Sequence, residues 1–185
     1  VEDYTIFIDA GMTASFNSDI TEVCEGNEVS FTDNTNGEVL SWSWVFEGGE
    51  PATSTEQNPV VMYMEGGSWD VELTVIGEEG SNTMSLSDYI TTMYMPEEAG
   101  EIIGSEDVCQ GWEEIYTVDI IGYADEYTWV LEPAEAGEMM VVDNMATIAI
   151  SSDYEGAASL KVCGGNDCGD GGWSNEFTVI VNTCV

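Results

Sequence analysis

Carboxylates dominate the chemistry open to this chain. It carries 37 Asp and Glu against one basic residue, Lys161, and no His, for a formal net charge of -36 over 185 residues. Loop carboxylates and carbonyls are what a hard cation such as calcium binds. The oxygen-ligand candidates on turn-rich segments are Asp33 with its neighbour Asn34, Asp70, Asp88, and the run Asn166, Asp167 and Asp170. No D-x-D-x-D-G loop accompanies them, so solvated surface acids are the competing reading. Nucleophilic catalysis of the Ser-His-Asp or Cys-His kind needs a histidine, which the chain lacks. Two-carboxylate hydrolysis needs a positioned pair, and an abundance of acids is not one. No G-x-x-x-x-G-K-[ST] or G-x-G-x-x-G phosphate loop is present. The expectation is a protein that is not an enzyme.

The same charge balance excludes partners. Nothing in the chain could neutralise nucleic-acid phosphates or anionic lipid. The carboxylates must be solvated or metal-bound, and their repulsion should weaken the fold at low salt. Five cysteines (Cys24, Cys109, Cys163, Cys168 and Cys184) fit an exported protein with one or two disulfides, and the odd count leaves at least one unpaired. Cys163 and Cys168 are too far apart for a zinc knuckle. No apolar run approaches the ~20 residues of a membrane span. An extracellular or cell-surface location is expected.

The elements that must carry these residues are strands. Trp42, Trp44 and Phe46 alternate and so share one face. Alternation also marks 13–16, 28–33, 60–63, 69–76 and 82–93, with turn residues between, and no segment shows a convincing helical period. Met95-Pro96-Glu97-Glu98-Ala99-Gly100 interrupts the pattern. Beyond it two motifs recur at one spacing: Val23-Cys24 returns as Val108-Cys109, and Trp44-Val45 as Trp129-Val130, each 85 positions on. That common offset argues for an internal duplication. The expected fold is all-β, two tandem immunoglobulin-like antiparallel β-sandwiches. Residues 11–95 form the first, 96–101 a linker and 102–185 the second. Residues 1–10 read as the end strand of a preceding repeat, or else as an ordinary first strand.

The stretch Trp42-Ser43-Trp44-Val45-Phe46, followed by Thr53-Ser54-Thr55-Glu56-Gln57-Asn58-Pro59 and a hairpin running from Tyr63 through Gly66, Trp69, Val71 and Leu73 to Val75, resembles the polycystic-kidney-disease (PKD) repeat over roughly residues 12–95. The second half resembles the PKD-like domains that follow such repeats in exported proteins of Bacteroidota-type bacteria, although it lacks the T-S-T-E-x-N-P segment. The resemblance implies a core built on Trp44, Phe46, Tyr63 and Leu73, and on Trp129 in the second unit. It also implies a Cys109–Cys168 disulfide, with Cys163 the alternative partner for Cys109. The family turn W-D-F-G-D-G has lost both aspartates here, to Val45 and Gly49, which leaves calcium as a possible cofactor only at the other acids. Trp42, Trp69, Trp112 and Trp173 are open to two readings, half-buried packing or an exposed ring that stacks on a sugar. The implied function is a non-catalytic stalk, spacer or adhesive module of a bacterial surface protein or filament. The alternative is an accessory substrate-positioning region of a secreted protease or polysaccharide-degrading enzyme. Expected partners are neighbouring repeats or filament subunits, with a glycan or a surface protein as further possibilities.

Overall fold

The computed structural model describes residues 11–184. The end-strand reading of residues 1–10 lies outside the described residues. The chain divides into two units, one ending at Tyr94 and the other beginning at Met95, and both are built of strands.

In the first unit the strands are β1 (Phe16–Ser18), β2 (Glu22–Cys24), β3 (Asn27–Asp33), β4 (Ser41–Phe46), β5 (Gly49–Glu50), β6 (Thr53–Ser54), β7 (Val60–Tyr63), β8 (Gly67–Gly77) and β9 (Gly80–Met93). They form one sheet in the order β1-β3-β7-β5 and another in the order β2-β9-β8-β4-β6. Alternation decides which side chains meet between the sheets. Val29 and Phe31 face in from β3, Trp44 and Phe46 from β4, Val61 and Tyr63 from β7, and Val71, Leu73 and Val75 from β8, all at most 1% exposed. Trp44 and Phe46 lie nearly parallel at 5.5 Å, and Phe16 meets Trp44 edge-on at 5.2 Å.

The second unit contains β10 (Asp107–Cys109), β11 (Glu113–Thr117), β12 (Glu126–Glu132), a short 3-10 turn (Ala134–Ala136), β13 (Gly137–Val142), β14 (Met145–Ile150), β15 (Gly156–Asn166), β16 (Gly169–Asp170) and β17 (Phe177–Asn182). One sheet runs β10-β17-β15-β12, with β16 on β15, and the other runs β11-β14-β13. A separate core gathers Tyr116, Trp129, Ala146, Ile148, Leu160, Val162, Val179 and Val181.

Two details depart from the sequence reading. The ladders are antiparallel except that β2 lies parallel to β9, and β10 parallel to β17. In the first unit the chain turns after β1 and crosses to the other sheet. The Asp19 carboxylate fixes that turn by accepting N–H groups from Ile20 and Ser30, each at 2.9 Å. After that crossing β2 reaches β9, the last strand of the unit, running in the same direction. The stretch 96–101, expected as a linker, belongs instead to the second unit. Ala99 is buried in that unit's core, and the N–H groups of Glu97 and Ala99 donate to the carbonyls of Gly122 and Gly172 (both 2.9 Å). Pro96 and Gly100 end the strand pattern without freeing the chain, because tertiary backbone bonds hold this stretch.

Candidate functional site

The residues that carry the sequence pattern converge on the loop between β6 and β7. Trp44 on β4 is fully buried, and its indole N–H donates to the Glu56 carbonyl at 2.9 Å. Asn58 accepts the Asp33 backbone N–H at 3.0 Å through Oδ1, and the Pro59 carbonyl accepts the Phe31 N–H at 2.9 Å. The Thr-Ser-Thr-Glu-Gln-Asn-Pro segment therefore closes the sandwich by satisfying donors on β3 and β4. Trp129 occupies the matching place on β12. Its indole nitrogen is buried with no hydrogen-bond partner among the described residues. The sequence explains the difference, since the second unit has no copy of that segment.

Asp33, a calcium candidate, sits at the same junction. Its Oδ1 accepts the Thr35 N–H (2.9 Å), and its Oδ2 accepts the Trp42 indole (2.8 Å) and the Gln57 amide (3.3 Å). Partial burial opposes its ionisation, but the bonds from Thr35, Trp42 and Gln57 outweigh it and hold the carboxyl below the usual aspartate value. Its neighbour Asn34 donates to the Asn17 side chain.

Asp70 and Asp88 do come together. Opposite Asp70 the β8–β9 ladder slips, pairing Trp69 with Ile90 and Val71 with Leu86. Asp88 takes a left-handed φ of 52° inside that bulge and donates its N–H to Asp70 Oδ1 at 2.8 Å. Asp70 is thus the cap of a bulge. Asp167 and Asp170 lie elsewhere, on the β15–β16 hairpin, where both are exposed. Among the described residues no three His, Cys, Asp or Glu side chains gather as a metal site would require.

The cysteines correct the implied pairing. Cys109 is bonded to Cys184, with Cα atoms 5.5 Å apart, and not to Cys168 or Cys163. β10 runs beside β17, so Cys109 at its end lies next to the chain leaving β17, which carries Cys184. Cys168 is disulfide-bonded, though not to Cys109, as is Cys24. Cys163 is a free, buried thiol, and burial first and then the Asp170 charge push its pKa up.

In the first core, Phe46 and Leu73 pack with Tyr63, whose hydroxyl is buried without a hydrogen-bond partner among the described residues. Burial raises the Tyr63 pKa well above the ordinary phenol value. In the second, Tyr116 donates to the Ser105 carbonyl at 3.1 Å, and burial with the nearby Glu114 charge pushes its pKa up to about 12.

Of the four remaining tryptophans, two serve the fold. Trp42 is tied to Asp33, and the Trp69 indole donates to Thr92 at 3.0 Å. Trp112 and Trp173 are exposed, at 58% and 42%. Trp173 borders a groove on the outer face of the β12–β15 sheet, together with Val130, Glu132, Ser159, Lys161 and Ser174. Sequence reasoning named Trp173 and the lone Lys161 but did not place them at one groove, because Lys161, Val130, Glu132 and Ser159 are brought together only by the β12–β15 register.

Comparison with known proteins accounts for both halves. The PKD domain family model matches residues 12–92, and the PKD-like domain model residues 95–179. The chain is similar to Collagenase ColA of Bacillus cereus, 44% identical over 52 residues, which are 28% of this chain and 5% of that protein. It is also similar to the PKD1 domain from the Vibrio cholerae metalloprotease PrtV, with 30% identity over 44% of this chain and 98% of that domain and a TM-score of 0.36. An I-band fragment of titin matches 90% of this chain and 65% of its own length at 14% identity, with a TM-score of 0.52, a likeness of fold alone. The two halves, each with its own sandwich core, are a PKD domain followed by a PKD-like domain.

Proposed function

We propose that this pair is a non-catalytic extracellular module that spaces and positions the parts of a larger secreted or surface protein of a bacterium. The observation that carries the reading is the use made of the family-pattern residues. Trp44, Glu56, Asn58 and Pro59 close a core, and Asp33 and Asp70 cap backbone turns. Chemistry that would otherwise suggest a site is committed to the fold. PKD domains are non-catalytic modules of secreted or surface proteins, and disulfides suit that setting.

A second reading is an accessory region of a secreted protease. The similarities to a collagenase and to the PKD1 domain of a metalloprotease favour it. Peptide mapping of the protein from its native source separates the two. An H-E-x-x-H region in the same polypeptide supports the accessory role, and further PKD repeats support a stalk. Both readings expect the 185-residue chain alone to leave gelatin, casein and neutral glycans uncleaved. Turnover of any of them by this chain would overturn both.

A further inference from the structure

The chain's one lysine lies on a strand face of a very acidic chain, and among the described residues it has no ion-pair partner. Lys161 on β15 stands directly opposite Val130 on β12, and Ser159 stands opposite Glu132. Directly paired residues share a face, so these four side chains rise from the same outer surface of the sheet. Lys161 and Glu132 are diagonal neighbours there, yet Lys161 makes no ion pair among the described residues. The indole of Trp173 borders the same groove, whose volume is about 350 Å³. Its position is fixed by the next residue. Ser174 is 5% exposed; its N–H donates to the Val162 carbonyl at 2.8 Å, and its hydroxyl accepts the Val162 N–H at 3.1 Å. The tryptophan is therefore an exposed ring on a pinned backbone.

We propose that this groove binds a neutral pyranose unit of a glycan, with Trp173 as the stacking platform and Lys161, Glu132 and Ser159 as the groups that grip its hydroxyls. The C–H face of a pyranose stacks on an indole, which joins an apolar surface to a polar edge. Lysine only donates, an ionised glutamate only accepts, and serine does both, a set that vicinal hydroxyls satisfy. An apolar ligand would leave those groups unpaired at a cost. Charge selects further. A net charge of -36 repels polyanions, and a cationic ligand would meet the chain's lone ammonium in this groove. The volume lies at the small end of ligand sites, with room for about two rings. This inference does not rest on the spacer reading, which survives its failure.

The test is a set of two-dimensional ¹H–¹⁵N spectra of the labelled chain, titrated at physiological ionic strength with cellohexaose, xylohexaose, mannohexaose, chitohexaose and maltohexaose. At least one sugar is expected to shift the amides of Val130, Glu132, Ser159 and Lys161 and the Trp173 indole N–H. Trp173→Ala should weaken that binding about tenfold or more, in keeping with the loss of one stacked ring. Lys161→Met and Glu132→Gln should weaken it several-fold, while Trp112→Ala, outside the groove, should leave it unchanged. Superimposable spectra away from the groove certify that each variant is folded. The proposal is overturned if no sugar moves these resonances at millimolar concentration, or if Trp173→Ala binds as the unaltered chain does. It is equally overturned if a collagen-type peptide shifts them and no sugar does.

Discussion

Trp44 and Trp129 hold matching strand positions but differ in one bond. The first indole donates to Glu56, and the second has no partner among the described residues. Replacing each by Phe removes similar ring area, but only Trp44→Phe breaks a hydrogen bond. Trp44→Phe should therefore destabilise its unit by about 1 kcal/mol more than Trp129→Phe destabilises the other. Native-state hydrogen exchange read separately in the two units measures the difference, and equal costs would refute the assignment. Asp33 makes a prediction with a pH sign. Its folded pKa lies below the ordinary 3.8, so its ionised form stabilises the fold above the unfolded value. That contribution is lost as pH falls through the folded pKa. Melting curves from near neutral pH to about pH 2 should show Asp33→Asn less stable than the unaltered chain at neutral pH, with the gap closing toward acid. A gap that stays constant would mean the carboxylate's charge is not what those donors hold.

At the scale of the elements, β8 and β9 form the longest ladder of the first unit, and Trp69 on β8 packs closely over the turn where β4 meets β5. Gly48 has φ +65° there, and a Cβ at that position would come within 2.3 Å of the Trp69 ring. Gly48→Ala therefore combines backbone strain with overpacking and should cost about 2–4 kcal/mol in urea denaturation. A cost below about 0.5 kcal/mol would show that Trp69 can move aside. Strand positions were legible in the sequence because alternation is local, as Trp42, Trp44 and Phe46 show. The parallel β2–β9 ladder and the Asp70 bulge were not, because register depends on partners distant in sequence. The same holds for the disulfide, whose connectivity spacing cannot determine. The role of Asp33 was hidden too: it depends on Trp42, Gln57 and Asn58 folding onto the end of β3. The groove beside Trp173 was half legible, since an aromatic can be seen in a sequence but a diagonal Lys161–Glu132 neighbour cannot.

For the whole molecule, charge and core separation set the behaviour. With 37 acids and one base, the fold carries strong self-repulsion that added salt screens. The melting temperature should rise with sodium chloride, and calcium chloride at equal ionic strength should add no saturable step if the acids act as caps and solvated charges. A melting temperature indifferent to salt would contradict the repulsion, and a saturable calcium step would return calcium to the acidic loops. The central claim is that each half is a sandwich with its own tryptophan core. The most direct test is native-state hydrogen exchange on Trp44→Ala, resolved strand by strand. Protection should fall across β3, β4, β7 and β8 while β12, β15 and β17 keep theirs. Loss of protection in both sets together would contradict the account, because it would make the two halves one cooperative core.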